Sequence, residues 1–179
     1  MSKDKIISLL QGFTIELNPK VRFKINSIPL DSKNHVYITY LPDALENDIL
    51  ETVEFVSNQK LTHIPHLPAR TMIDLDHVKR FLLEIRKRTD SSKILVIGGG
   101  GDQRGNIQSS LDILESGLLS DFGFHHIGIA GHPEGSPDIN QEIIDQFLNK
   151  KFELSKIKNL NFELVTQFFF HAEPFIAWC

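Results

Sequence analysis

The chain alternates short apolar runs of strand character with amphipathic segments of helical spacing. The runs are rich in β-branched and aromatic residues and end at Gly, Pro or Asn, as strands do; they cover 13–17, 35–40, 61–65, 93–97, 125–130 and 161–168. Helical patterns cover 5–10, 43–58, 74–88, 107–114 and 137 to about 154, and another begins near 173. This alternation predicts an α/β fold with parallel strands and right-handed crossovers, in one domain spanning 1–179. Six strands fit either an open doubly wound sheet or a barrel.

Composition narrows the function classes. Apolar residues make up 41% of the 179 residues and charged residues 23%, as in ordinary soluble domains. The net charge of −4 and the scattered basic residues argue against a nucleic-acid partner. Cys179 is the only cysteine, which excludes an intrachain disulfide and a cysteine metal cluster. Because the first 13 residues hold no long apolar segment, we expect a cytoplasmic protein without a membrane partner.

Polar side chains gather where the predicted strands end. They are Glu16, Thr39, Tyr40, His66, Asp102, His132, Glu134 and Gln167. In a barrel, all of these would converge on one mouth. There, desolvation of Glu16 would favour the protonated carboxyl that a general acid needs, although a strand Glu is more often solvated or paired. His66 has a structural alternative as a loop hydrogen-bonder, and Asp102 has one as a turn residue.

Four consecutive glycines, Gly98–Gly101, follow the fourth predicted strand. Such a run lets backbone approach a phosphate or the edge of a planar ring. It matches neither the phosphate-binding Gly-Lys-Ser/Thr loop nor the GxGxxG dinucleotide fingerprint. The histidines at 125, 126 and 132 are too few and too poorly spaced for zinc, so no metal site is predicted.

Several motifs together resemble the methylenetetrahydrofolate reductase family. They are FTIE at 13–16 with Pro19, VYITY at 36–40, PHL at 65–67 with Ala69 and Arg70, IGG at 97–99 with Asp102, AGHPEG at 130–135 with Pro137, and VTQFFF at 165–170. They occur in the family's order over nearly the whole chain. AGHPEG followed some 30 residues later by TQFFF is the most specific pair.

The resemblance implies a (βα)8 TIM-barrel type of fold, of which about six βα units are present. It implies FAD bound at the strand C-termini and hydride transfer from NAD(P)H through the flavin to 5,10-methylenetetrahydrofolate, giving 5-methyltetrahydrofolate in one-carbon metabolism and methionine biosynthesis. The chain ends on the opening turn of a predicted helix, so we expect a C-terminally truncated product. An open sheet exposes two edges, which makes a homo-oligomer possible.

The resemblance also assigns roles to residues. Glu16 would be the general acid, Gln167 would hydrogen-bond the pterin of the folate substrate, and Asp102 would lie near both the pterin and the flavin. The residues implied to contact FAD are Thr39, Tyr40, His66, Gly101, Asp102, His132, Ser136 and one of Lys150 and Lys151. Two departures stand out: four glycines precede Asp102, so a two-residue shift would put Gly100 at the acid's position, and Ser136 stands where a His is common.

Two alternatives remain beside a flavin-dependent folate reductase. One is a non-catalytic remnant of the family that keeps a folate or flavin pocket. The other is an unrelated α/β enzyme with a sugar-phosphate ligand, which only the glycine run supports. Replacing Glu16 by Gln separates the first two, because a reductase would keep FAD and lose folate turnover, whereas a binding protein would change little.

Overall fold

The structure, a computed structural model, describes residues 3–137, 139–158 and 160–179. The strands are β1 Thr14–Leu17, β2 His35–Ile38, β3 Thr62–Pro68, β4 Lys93–Ile97, β5 His126–Gly131 and β6 Asn161–Thr166. The helices are α1 Lys3–Leu10, α2 Glu46–Asn58, α3 Leu75–Arg88, α4 Ser110–Glu115, α5 Leu118–Asp121, α6 Gln141–Lys158 and α7 Ala172–Trp178. Two 3-10 segments lie at Pro19–Ser27 and Ala69–Thr71. Across these ranges, every helix is too short or too polar to cross a bilayer.

One parallel sheet contains all six strands in the order β1-β2-β3-β4-β5-β6. Each strand is added beside its predecessor, so the order never reverses as it does in a doubly wound sheet. The sheet curls into a half-barrel with β1 and β6 at its edges, and the α/β prediction is confirmed. Among the described residues, each of these edge strands pairs on one side only.

The main core lies between the convex face of the sheet and the helices. β4 sends Ile94 and Val96 to this side, where they join α3 residues such as Phe81. Because side chains alternate along a strand, Leu95 turns to the opposite, concave face. α3 forms as predicted: Asp74 Oδ1 accepts a hydrogen bond of 2.7 Å from His77 N–H at its start. Its buried face consists of Val78, Phe81, Leu82 and Ile85.

The concave face has a smaller apolar floor. Tyr37, Ile64 and Leu95 are buried together, with Ile97 and Val165 packed against them. Gly128 lies in the same layer, and a Cβ built there would stand 2.7 Å from Leu95 Cδ1. Gly128 therefore leaves room for the Leu95 side chain, which would have to shift if residue 128 carried a Cβ. Polar groups near the C-terminal edge of the sheet stand above this floor.

Several element bounds differ from the sequence prediction. β3 continues to Pro68 instead of ending at Pro65, because a proline still offers its carbonyl to a strand ladder. α4 begins at Ser110 instead of Ile107, since Ser109 and Asp112 form a capping box. α6 is shifted toward the C-terminus, and β6 ends at Thr166. The single turn α5 was not predicted.

Candidate functional site

Glu16, Tyr37 and His66 share the concave face of the sheet. Glu16 and Tyr37 are partners in the β1–β2 register, and the rings of Tyr37 and His66 meet edge to face with centroids 6.1 Å apart. His66 Nε2 lies 3.9 Å from Glu16 Oε1. The extension of β3 past Pro65 is what brings His66 onto this face, because the residue is part of the strand and not of the loop after it.

His66 is a neutral, partly unsatisfied base. His66 is only 7% exposed, and its Nε2 atom is buried without a hydrogen-bond partner among the described residues. Burial lowers the pKa of His66 to about 4. Glu16 does not offset this, since its carboxylate is solvated and 3.9 Å is too long for a hydrogen bond. A neutral imidazole with an open ring nitrogen is suited to bond a polar ligand atom.

Tyr37, Thr39 and Gln167 complete the polar rim of the concave face. Burial, followed by the charges of Glu163 and Glu16, raises the pKa of Tyr37 to about 12, so its hydroxyl stays a donor. Thr39 is two positions further along the same side of the strand, and its hydroxyl donates to the Leu17 carbonyl over 3.4 Å. Gln167 N–H donates to the Gly131 carbonyl at 2.7 Å, which continues the β5–β6 ladder past β6.

The Glu16 carboxylate itself is 68% exposed. This exposure differs from the desolvated environment expected at a barrel mouth, because β1 is an edge strand that pairs on one side only among the described residues. A ligand lying across the concave face would have to exclude the water. Glu16 is placed to donate a proton only in such a covered state.

A cleft of ≈ 340 Å³ opens beside the concave face. It lies between α6, the start of α4 and the C-terminal ends of β4 and β5. Its lining residues are Arg70, Gly98, Gln108, Ser109, Ser110, Ala130, Gly131, His132, Ile139, Asn140, Ile143, Ile144, Phe147, Leu148 and Lys151. Three of these are basic, and none of the described lining residues is acidic. A cleft of this kind is suited to an anionic small molecule.

The structure distinguishes between the two candidate lysines. Lys151 follows Ile144 and Leu148 along one face of α6, and it is only 8% exposed although it lines the cleft. Burial lowers the pKa of Lys151. Lys150 is exposed and is not among the described lining residues, and its amino group lies 5.6 Å from the centre of the Phe147 ring. Of the two, Lys151 is the one that can reach a ligand in the cleft.

His132 is half-buried on the wall of the same cleft. Burial and the nearby charge of Lys151 both lower the pKa of His132, so the imidazole is neutral near pH 7. Ser136, which the resemblance links with FAD, is partly buried in the loop after β5.

The glycine run mainly determines the conformation of the loop after β4, and little of it lines the cleft. Gly99 and Gly101 have φ of 85° and 76°, and added Cβ atoms would press on Pro68 and Pro42. Gly98 alone of the four lines the cleft. Asp102 is exposed and makes no hydrogen bond or ion pair within the described ranges. Its predicted contacts with pterin and flavin stay predictions.

A set of backbone hydrogen bonds, called here the backbone zipper, joins this loop to the loop after β3. Arg70 N–H donates to the Gly98 carbonyl, and Arg104 N–H donates back to the Arg70 carbonyl, each at 2.9 Å. Asn106 N–H donates to the Ile73 carbonyl at 2.8 Å. At Gly105 a Cβ would lie 1.9 Å from that carbonyl oxygen. The sequence contains no signal for the role of Gly105, which depends on how two distant loops meet.

Tyr40 lies away from both regions. Its ring packs on Phe81 in the main core, and its hydroxyl is 3.5 Å from Glu46 Oε2. Burial and the neighbouring Glu46 raise the pKa of Tyr40 to about 12. Tyr40 therefore packs in the main core, and its predicted contact with FAD stays a prediction.

α7 folds back against the end of β5. A Cβ at Gly131 would lie 2.7 Å from Trp178 Cη2, so the indole rests on the backbone beside the cleft. Glu134 Oε1 accepts hydrogen bonds from Phe170 N–H and His171 N–H, at 3.0 and 2.7 Å, and holds the segment before the helix. The sequence did not predict this placement. It makes Trp178, the only tryptophan of the chain, a reporter of the cleft.

An acidic recess of ≈ 460 Å³ lies elsewhere, at the starts of α3 and α4. Asp74, Asp76 and Asp112 line it. Asp74 and Asp112 already accept capping hydrogen bonds from backbone N–H groups. No group of three His, Cys, Asp or Glu side chains suited to a metal occurs in the described ranges. We therefore assign the candidate site to the concave face and the basic cleft.

Compared with the models of known protein families, the chain matches none. The resemblance thus rests on the motifs alone.

The burial of His66 predicts an acid-sensitive fold. The folded state holds the pKa of His66 at about 4, whereas an unfolded His titrates near 6.5, so protonation favours unfolding. The stability that neutral His66 contributes to the fold is fully present above about pH 6.5, and it is lost as the pH falls toward 4. Between about pH 7 and about pH 4.5, protonation of His66 should lower the free energy of unfolding by roughly 2 to 3 kcal/mol.

Urea titrations at the two pH values measure this loss. His66→Gln removes the titrating group, so its loss between the two pH values should be smaller by that amount. The remainder reports other groups, including His63, whose pKa burial also lowers. An equal loss in both proteins would show that His66 is not a buried neutral base.

Proposed function

We propose that this chain is a flavin-dependent oxidoreductase of one-carbon metabolism, built on part of a TIM-type (βα)8 barrel. Its substrates would be 5,10-methylenetetrahydrofolate and NAD(P)H, and its cofactor FAD, in the cytoplasm. One observation carries the proposal: a basic cleft for an anionic group opens at the C-terminal ends of β4 and β5, strands of the same sheet whose concave face holds an acid, a phenol and an unsatisfied imidazole. The motifs named above supply the identity of the ligands.

The residues present fit the cofactor. Lys151, Arg70 and His132 line the cleft that would bind a diphosphate, and the exposed backbone of Gly98 allows close approach. The buried, unpartnered Nε2 of His66 would bond a polar edge of the ring system. When bound, FAD carries the hydride between the nicotinamide and the folate.

The protein's own part of the reaction is positioning and proton transfer. Glu16 would donate a proton to a nitrogen of the folate once the ligands cover its exposed carboxyl. Gln167, on the facing edge strand, would hydrogen-bond the pterin and fix its orientation. Tyr37 would keep its hydroxyl proton near pH 7 and serve as a donor beneath the ligands, because its pKa is raised to about 12.

A non-catalytic binding protein is the second candidate. The observation that favours it is the 68% exposure of Glu16, because an acid in water lacks the environment that general acids normally have. Such a protein would bind FAD or folate through the same cleft and concave face. It would not transfer hydride.

Titration of the purified chain with FAD tests both candidates. Binding should quench Trp178, whose indole rests on Gly131 at the cleft. Bleaching of the bound flavin by anaerobic NADH or NADPH, followed by reoxidation with methylenetetrahydrofolate, would support the reductase. Binding without bleaching would favour the binding protein. A folded chain, verified by circular dichroism, that binds no flavin would overturn the proposal.

Neighbouring lysines provide a matched pair of variants. Lys151→Met keeps most of the apolar stem but removes the charge from the cleft, and it should weaken FAD binding about 10- to 100-fold. Lys150→Met changes an exposed residue on the same helix and should leave the dissociation constant within about twofold. Both constants follow from Trp178 quenching. Equal effects of the two substitutions would remove the cleft from the cofactor site.

The two edges of the sheet could pair with other copies of this chain. β1 and β6 each present an unpaired side in the described part of the chain, so a homo-oligomer formed through these edges stays a prediction. Sedimentation of the purified chain measures it directly.

A further inference from the structure

Lys151 combines two properties that rarely occur together. Its stem is buried among the apolar residues of α6, yet its amino group lines a cleft large enough for a small molecule. No described residue forms a hydrogen bond or ion pair with this amine, and no acidic side chain is among the described lining residues. A buried amine without a counter-ion is the usual setting of a nucleophilic lysine.

We propose that Lys151 is a covalent capture site for phosphorylated aldehydes, whose phosphate binds in the basic cleft while the carbonyl condenses with Nζ. The proposal is independent of the flavin reaction, because it needs only the cleft and the amine. It names a ligand class that the motifs do not indicate.

The electrostatics of the cleft favour the reactive form of the amine. Arg70 is the only permanent positive charge besides Lys151 among the described lining residues, and no acidic side chain among them offsets a charge on the amine. Burial lowers the pKa of Lys151 in the same direction. The fraction of neutral amine near pH 7 is therefore larger than on an exposed lysine such as Lys150.

The same cleft offers donors for the anionic end. The guanidinium of Arg70 can hold a phosphate with two parallel hydrogen bonds, and the hydroxyl of Ser110 is a further donor. Phe147 and Leu148 supply an apolar wall for the body of the ligand. The cleft thus discriminates between a phosphorylated aldehyde and the same aldehyde without its phosphate.

The chemistry requires no further reactant. The nitrogen lone pair of Lys151 adds to the carbonyl carbon, a proton moves from nitrogen to oxygen, and water leaves as the imine forms. Neutral His132 lines the same cleft and can accept the proton and return it to the leaving hydroxyl. Hydrolysis reverses the reaction, so capture is an equilibrium and involves no oxidation.

Pyridoxal 5′-phosphate is the probe. The protein is incubated with it, the imine is reduced by borohydride to a stable secondary amine, and the labelled lysines are located by peptide mass spectrometry. Lys151 should be labelled at least about tenfold faster than Lys150. Pyridoxal, which lacks the phosphate, should lose this preference, and inorganic phosphate should slow labelling at Lys151 only.

Lys151→Arg is the control variant, since it keeps the charge but cannot form an imine. It should lose the fast phase and keep the slow labelling of exposed lysines. Equal rates at Lys150 and Lys151, or a fast phase that survives in Lys151→Arg, would overturn the proposal. Added FAD separates the two proposals: selective labelling that FAD does not slow supports capture and counts against a flavin in the cleft.

Discussion

Gly105→Ala should destabilise the protein by about 3 kcal/mol and detach the loop after β4 from the loop after β3. A Cβ at this position would lie 1.9 Å from the Ile73 carbonyl oxygen, far inside any permitted contact. This steric clash can be relieved only if the backbone of one of the two loops moves. That movement breaks the neighbouring hydrogen bonds from Arg104 N–H to Arg70 and from Asn106 N–H to Ile73.

Gly100→Ala is the matched control in the same loop. Its Cβ would have only Pro42 Cγ nearby, at 3.9 Å, which is ordinary contact, so a change within about 0.5 kcal/mol is expected. Urea unfolding at neutral pH measures both variants. A Gly105→Ala protein as stable as the Gly100→Ala protein would show that the two loops do not meet as described.

Gly105→Ala should also weaken the binding of ligands in the cleft. Arg70 and Gly98 line the cleft, and both belong to the zipper, because Arg70 N–H donates to the Gly98 carbonyl. Shifting the loop therefore moves the cleft wall. Any anionic ligand of the cleft should bind more weakly to Gly105→Ala than to Gly100→Ala, under conditions where both are folded.

Local signals made much of the fold predictable. α3 has an N-cap at Asp74 and an apolar period through Val78, Phe81, Leu82 and Ile85, so its position could be derived without knowing its neighbours. β4 was likewise bounded by polar residues and glycine. The end of β3 was mispredicted because Pro65 was interpreted as a breaker, although it pairs in register with Ile38.

The candidate site was less predictable, since it depends on contacts between distant segments. The sequence placed Glu16 and His66 at strand ends, and the strand order brings them to 3.9 Å. The sequence could not distinguish Lys150 from Lys151, because the burial of Lys151 depends on how α6 packs against its neighbours, α4 and β6. Tyr40 also follows a strand, but its ring packs in the main core, and the sequence gives no sign of which face of the sheet it occupies.

Glu16→Gln should lower folate turnover by at least ~100-fold while flavin binding stays within about twofold, if the proposed reductase reaction holds. The substitution keeps the size and hydrogen-bonding capacity of the side chain but removes the proton that a general acid donates. Reduction of the flavin by NAD(P)H needs no proton from this residue, so the bleaching rate in the absence of folate should change little. The variant therefore separates the two half-reactions, which stopped-flow absorbance measures one at a time.

Glu163→Gln is the matched control, because both carboxylates act on Tyr37 but only Glu16 lies near His66. It should leave folate turnover within about twofold, since Glu163 lies in the same register row as His66 but three strands away from it, on β6. Equal losses in the two variants would assign the effect to the general charge of the concave face. Full folate turnover in Glu16→Gln would exclude Glu16 as the acid, and a chain that binds FAD but shows no turnover even before substitution would favour the binding protein.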